Sequence, residues 1–192
     1  MNDGDLAARA PGRSWSAVSP SEHFVLFYDE DSLFLDTLED YVATGLEGSE
    51  GVVVIATGAH LRELAHRLTA RGIELEAARR RDQYIPVDAE QALSQFMLDH
   101  WPDQRLFDAL VSGLVTRARG ADLRPVRAFG EMVALLWSAG QHAATMRLEQ
   151  LWRRITQGQS FACFCAYPRD AFDPRSTSSL IQICATHTHV VA

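Results

Sequence analysis

The stretch HFVLFYDEDSLFLDTLEDYVATG, residues 23–45, decides the architecture. HFVLFY (23–28) is apolar almost throughout, the mark of a strand covered on both faces; a strand with one wet face would alternate. Past the acidic turn the period changes. Phe34, Leu38, Tyr41 and Val42 fall on one helical face, and Gly45 is placed to end that helix as a C-cap. A buried strand passing into an amphipathic helix is one half of a parallel crossover unit.

The same alternation continues outward. GVVVIA (51–56) is a second buried strand, and AHLRELAHRLTARG (59–72) a helix ending on Gly72. QYIPV (83–87) is a weaker strand, placed at an edge by Pro86. Asp88 and Gln91 resemble a capping box opening a helix through ALSQFMLD. DQRLFDALVSGLVTRARG (103–120) is a helix, PVRAFG (125–130) a strand, and helices follow from Glu131 and over AATMRLEQLWRRIT (143–156). SFACFCAY (160–167) is the last clear strand, and the tail SLIQICATHTHVVA adds a short helix or strand. Strands alternating with helices predict an α/β three-layer sandwich with a mainly parallel central sheet. Residues 1–21, rich in Gly, Pro, Ser and Ala, are expected to be a flexible arm, and residues 22–192 a single domain.

Composition narrows the chemistry. All 18 Lys and Arg positions are arginine. That excludes a lysine Schiff base, a lysine general base and a P-loop lysine, because arginine stays protonated. A net charge of -7 argues against direct nucleic-acid binding. The run Arg79–Arg81 reads as solvated surface. No apolar run approaches a membrane span, and no signal peptide is visible at the start, so a cytoplasmic protein is expected.

In open parallel sheets, ligands bind beyond the carboxyl ends of the strands. The candidates there are Tyr28, Asp29, Glu30 and Asp31 after the first strand, and Thr57 and His60 after the second. Asp88 follows the third strand, Glu131 the fourth, and Tyr167, Arg169 and Asp170 the fifth. Glu131 stands where a carboxylate can face a crevice while Phe129 and Met132 stay buried, though it is equally placed to cap its own helix. Arg127 and Glu131 could instead pair across the strand–helix joint. His60 and His66 are too far apart in one helix for joint coordination. Cys163 and Cys165 share a strand face, and with Cys184, His187 and His189 they could supply zinc ligands. A C-x-C pair lacks the usual spacing, however, and buried free thiols are the reading preferred, with no metal and no cofactor.

RAFGEMVALLW (127–137), with LEQLW (148–152) and CAYP (165–168), resembles the MEDS domain, the sensory domain of the dichloromethane-responsive regulator type of methylotrophs, methanogens and actinobacteria. His23 and Tyr28 around the first strand, and IATGAH ending in His60, fit its pattern. The resemblance covers roughly residues 22–190. It implies a RecA/KaiC-like fold without a functional P-loop, and the turn YDEDS (28–32) agrees: it holds three carboxylates and neither glycine nor lysine. It further implies a non-enzymatic sensor in signal transduction or transcription regulation; by their placement about the strand ends, His23, Tyr28, Asp29, His60, Arg127, Glu131 and Tyr167 are the expected ligand-binding residues. The expected partners are an unidentified small molecule, a regulatory protein in a kinase or sigma-factor circuit, or a second copy of the chain. Related domains are commonly joined to DNA-binding or kinase modules; with neither here, the signal would pass through a partner. An enzyme would rest on Glu131, the one strong catalytic candidate.

Overall fold

The computed structural model describes residues 15–172 and 177–191. After a 3-10 turn at Trp15–Ala17 the elements are β1 (His23–Tyr28), α1 (Asp31–Glu47), β2 (Gly51–Ala56), α2 (Gly58–Ala70), α3 (Leu75–Arg80), β3 (Tyr84–Asp88) and α4 (Ala89–Phe96). Then come β4 (Met97–Leu98), β5 (Trp101–Pro102), α5 (Gln104–Arg119), β6 (Val126–Gly130), α6 (Met132–Ser138), α7 (His142–Gln159), β7 (Ala162–Pro168), α8 (Thr177–Thr186) and β8 (His189–Val191). Six strands form one sheet in the order β3-β2-β6-β7-β1-β8, and every pairing in it is parallel.

Strand alternation divides the core in two. Phe24, Leu26, Val52, Val54, Phe129 and Phe164 face one side, under Phe34, Leu38 and Tyr41 of α1 and Leu64 of α2. Val25, Val53, Ile55, Ala128, Cys163 and Cys165 face the other, under Phe107, Trp137, Leu148, Trp152 and Ile183. Burying each such large apolar side chain contributes about 1.5–3 kcal/mol. The architecture is therefore the three-layer α/β sandwich that the alternation predicts. No helix among the described residues is long and apolar enough to cross a membrane.

Several local expectations change. Gly45 does not end α1, which runs on to Glu47 with Gly48 behind it. Its use is close approach: a Cβ there would lie 2.6 Å from Arg127 Cδ. Gly130 works similarly, since a Cβ would stand 2.9 Å from the Trp152 ring. The basic run Arg79–Arg81 is exposed, as expected, but it closes an unexpected helix, α3, where Arg79 pairs with Glu76 and lies over the Tyr84 ring. The β4–β5 hairpin also went unread, because Asp99 (φ 49°) and His100 (φ 63°) hold its two-residue turn in place of the usual glycine. The tail supplies both a helix and a strand.

Residues 1–14 of the expected arm lie outside the described residues. Trp15 is docked, 5% exposed, among Phe24, Tyr41 and Phe164.

Candidate functional site

The chain leaves β2 for α2 on one face of the sheet and leaves the neighbouring strand β6 for α6 on the other. Adjacent strands whose connections part in this way open a crevice at their carboxyl ends. Glu131 stands there. Its backbone N–H donates to the Ile55 carbonyl at 2.9 Å, extending the β2–β6 ladder by one rung. The next residue begins α6.

The Glu131 side chain makes no capping bond to its own helix. It reaches across to the start of α2 instead. Oε2 accepts from Thr57 N–H at 2.8 Å, and Oε1 lies 2.8 Å from His60 Nδ1. Thr57 Oγ1 in turn accepts from His60 N–H, capping α2. The carboxylate thus meets the positive end of a neighbouring helix, which favours negative charge. Its hydrogen bond to His60 raises the His60 pKa against the opposing effect of burial. Both carboxylate oxygens are engaged, so Glu131 is held as an acceptor rather than left as a free base.

Aromatic rings complete this corner. Phe34 meets the His60 ring edge-on at 5.0 Å, and Tyr28 stacks on Phe34 at 4.9 Å. Burial, and then the charge of Glu131, hold the Tyr28 hydroxyl well above its ordinary pKa. It remains a neutral donor at physiological pH. Tyr28, His60 and Glu131 are therefore brought together.

Thr57, also a sequence candidate, joins them, whereas Asp29, Arg127, His23 and Tyr167 go elsewhere. Asp29 is exposed, 3.7 Å from Arg169. Arg127 does not pair with Glu131. Its guanidinium, 1% exposed, grips Glu50 through two bonds of 2.7 and 2.5 Å and donates to the Tyr41 and Trp15 carbonyls. Arg127 Cζ also sits 5.0 Å from the Tyr41 ring centroid.

His23 and Tyr167 belong to a second constellation on the α7 face. His23 from β1, Glu149 from α7, Cys165 from β7 and His187 between α8 and β8 place one ligand atom each within 4.8 Å of one another. Tyr167 donates its hydroxyl proton to Glu149 Oε1. Of the residues weighed as zinc ligands, Cys165 and His187 meet here. His189 instead pairs with Glu22 and stacks on Phe24. Glu149 was not singled out from the sequence, although it interrupts the apolar helical face of Leu148, Leu151 and Trp152; a lone carboxylate on such a face is the signal that finds it.

The sequence profile of the family described as MEDS, MEthanogen/methylotroph, DcmR Sensory domain, matches residues 22–188. A search of curated proteins finds no match.

Proposed function

The chain belongs to the MEDS family of sensory domains, and from that premise we propose that it is a non-enzymatic sensory or regulatory domain. Its signal is received at the corner where Tyr28, Phe34, His60 and Glu131 meet beyond the strand ends. The observation that supports this most is Glu131: a carboxylate only 6% exposed, spent on neither its own helix nor Arg127, but spanning the point where the β2 and β6 connections diverge. A ligand regulates only through different affinities for two states. Here the His60–Glu131 contact joins the two connections whose spacing an occupant would change.

Recognition rather than phosphoryl chemistry fits these groups. The β1–α1 turn carries Asp29, Glu30 and Asp31 where a P-loop would carry glycines and a lysine. Each close pair of like charges costs a bound triphosphate about 1 kcal/mol even in water-like surroundings.

The test is a thermal-shift screen of nucleotides, halocarbons, organic acids and metal ions on the wild type and Glu131→Gln. A compound present at 100 times its Kd stabilises the folded chain by about 2.7 kcal/mol. We expect one that raises the wild-type Tm and does much less for the variant. Micromolar ATP binding that disappears in Glu131→Ala would overturn the reading.

A partner-protein reading has its own observation. Leu98 and Trp101 lie opposite each other on the β4–β5 hairpin with about half of each residue exposed, and apolar side chains paired in this way on a surface suit a protein contact. Association lost in Leu98→Ser with Trp101→Ser, while the Tm holds, would favour it.

A further inference from the structure

We propose that His23, Glu149, Cys165 and His187 form a binding site for one divalent transition-metal ion of the zinc class, and that this ion fastens the C-terminal α8–β8 segment to the sheet. The site lies outside the Glu131 crevice and does not rest on the sensory reading.

Geometry comes first. Zinc bonds of 2.0–2.3 Å in a tetrahedron place neighbouring ligand atoms about 3.3–3.8 Å apart. His23 Nε2 lies 3.5 Å from Cys165 Sγ and 3.8 Å from Glu149 Oε2, and His187 Nε2 lies 3.4 Å from the same Glu149 oxygen. These three separations fall in the range a tetrahedral ion requires, and all four donors lie within 4.8 Å of one another. Two imidazoles, a thiol and a carboxylate are a borderline-soft set that suits zinc or cobalt and is poor for magnesium or calcium, which take oxygen ligands.

Burial supplies the second argument. The side chains of Glu149 and His187 are both 0% exposed. Glu149 Oε2 and His187 Nε2 find no hydrogen-bond partner among the described residues. With only the 3.4 Å approach of His187 Nε2 and the 3.8 Å approach of His23 Nε2 to offset it, a carboxylate oxygen buried without a hydrogen bond is costly. A divalent ion answers that cost: one thiolate and one carboxylate balance its charge, so the loaded cluster is neutral. On binding, the Cys165 thiol and the His187 Nε2–H of the ion pair each give a proton to solvent, and the freed sulfur and nitrogen bind the ion.

The surrounding bonds turn the donors inward. Tyr167 occupies Glu149 Oε1 and leaves Oε2 to the cluster. His187 Nδ1 is held by the Ile183 carbonyl at 2.7 Å, which points Nε2 at the other three. Such outer contacts are the usual means of orienting metal-binding imidazoles and carboxylates. Of the four ligands only His187 comes from the α8–β8 segment. Its neighbour Thr188 bonds to His23 through both N–H and Oγ1. An ion held by His23 and His187 together therefore ties the two chain regions.

The full chain, stripped with a chelator, is titrated with Co2+ alone. We expect one equivalent to give a thiolate-to-cobalt charge-transfer band with intense four-coordinate visible bands, and Zn2+ to displace it. Cys165→Ser should abolish the charge-transfer band, whereas Cys184→Ser should retain it. Tyr167→Phe should weaken zinc binding by about 10–100-fold. Zn2+ should slow amide exchange across residues 177–191. A wild type with no thiolate band, a decisive result even if a variant fails to fold, would overturn the site. Its persistence in Cys165→Ser would do the same, and unchanged exchange in 177–191 would overturn the fastening role. The buried cluster would then be a His187–Glu149 ion pair.

Discussion

Replacing Glu131 by Gln tests the bridge between β6 and α2 with little change of shape. In the wild type one carboxylate takes two bonds of 2.8 Å, from Thr57 N–H and His60 Nδ1. Hydrogen bonds to a charged group contribute about 1.5–3 kcal/mol each, and neutral ones about 0.5–1.5. Gln keeps the Thr57 bond in neutral form and turns the His60 contact into an amide–imidazole one, so the variant should lose about 1–3 kcal/mol. With a urea m-value of about 2–3 kcal/mol/M, the unfolding midpoint should fall by about 0.3–1.5 M. The loss should depend on pH in one direction. Glu131 raises the His60 pKa in the folded chain, so this part of the stability is fully present below the unfolded histidine value of 6.5 and disappears as pH rises through the folded value. Urea melts of wild type, Glu131→Gln, His60→Gln and the double variant at pH 5.5 and pH 9 would measure the coupling. A coupling near zero at pH 5.5, or one that grows towards pH 9, would refute the reasoning.

Arg127→Met should lower stability by about 3–5 kcal/mol in denaturant melts, because Glu50 and two backbone carbonyls lose a buried partner. Gly45→Ala should also destabilise, by crowding that guanidinium. Gly130→Ala should cost about 1–3 kcal/mol, since the new methyl meets the buried Trp152 ring; a neutral result by calorimetry would mean that α7 can shift away from the sheet. Leu98→Ser and Trp101→Ser should each change the Tm little, within about 0.5 kcal/mol of stability, because both residues are half exposed.

The layered fold was legible because its signals are local. Apolar runs such as HFVLFY and GVVVIA, and the cap at Asp88, depend on neighbouring residues alone. Glu131 was legible for a related reason: the end of a strand is a place that sequence can mark. Its actual partner was not, because Thr57 and His60 precede it by more than seventy residues and meet it only once β2 and β6 pair. Arg127 misled for the same cause. Four positions from Glu131, it invited a local pairing, while its charge is answered by Glu50, beside the start of β2. The hairpin stayed hidden because Asp and His occupy its left-handed turn positions. Glu149 lay in plain view, and only its isolation among apolar neighbours set it apart.

Trp15 bears on where this domain begins. The family match starts at residue 22, yet the Trp15 ring fills a space between Phe24, Tyr41 and Phe164, and its carbonyl accepts from Arg127. Cutting the chain at the family boundary would leave an aromatic-sized hole beside a buried cation. The domain's packed border therefore lies at least seven residues ahead of the family match, where the Trp15 ring and carbonyl tie the chain to β1, α1, β6 and β7.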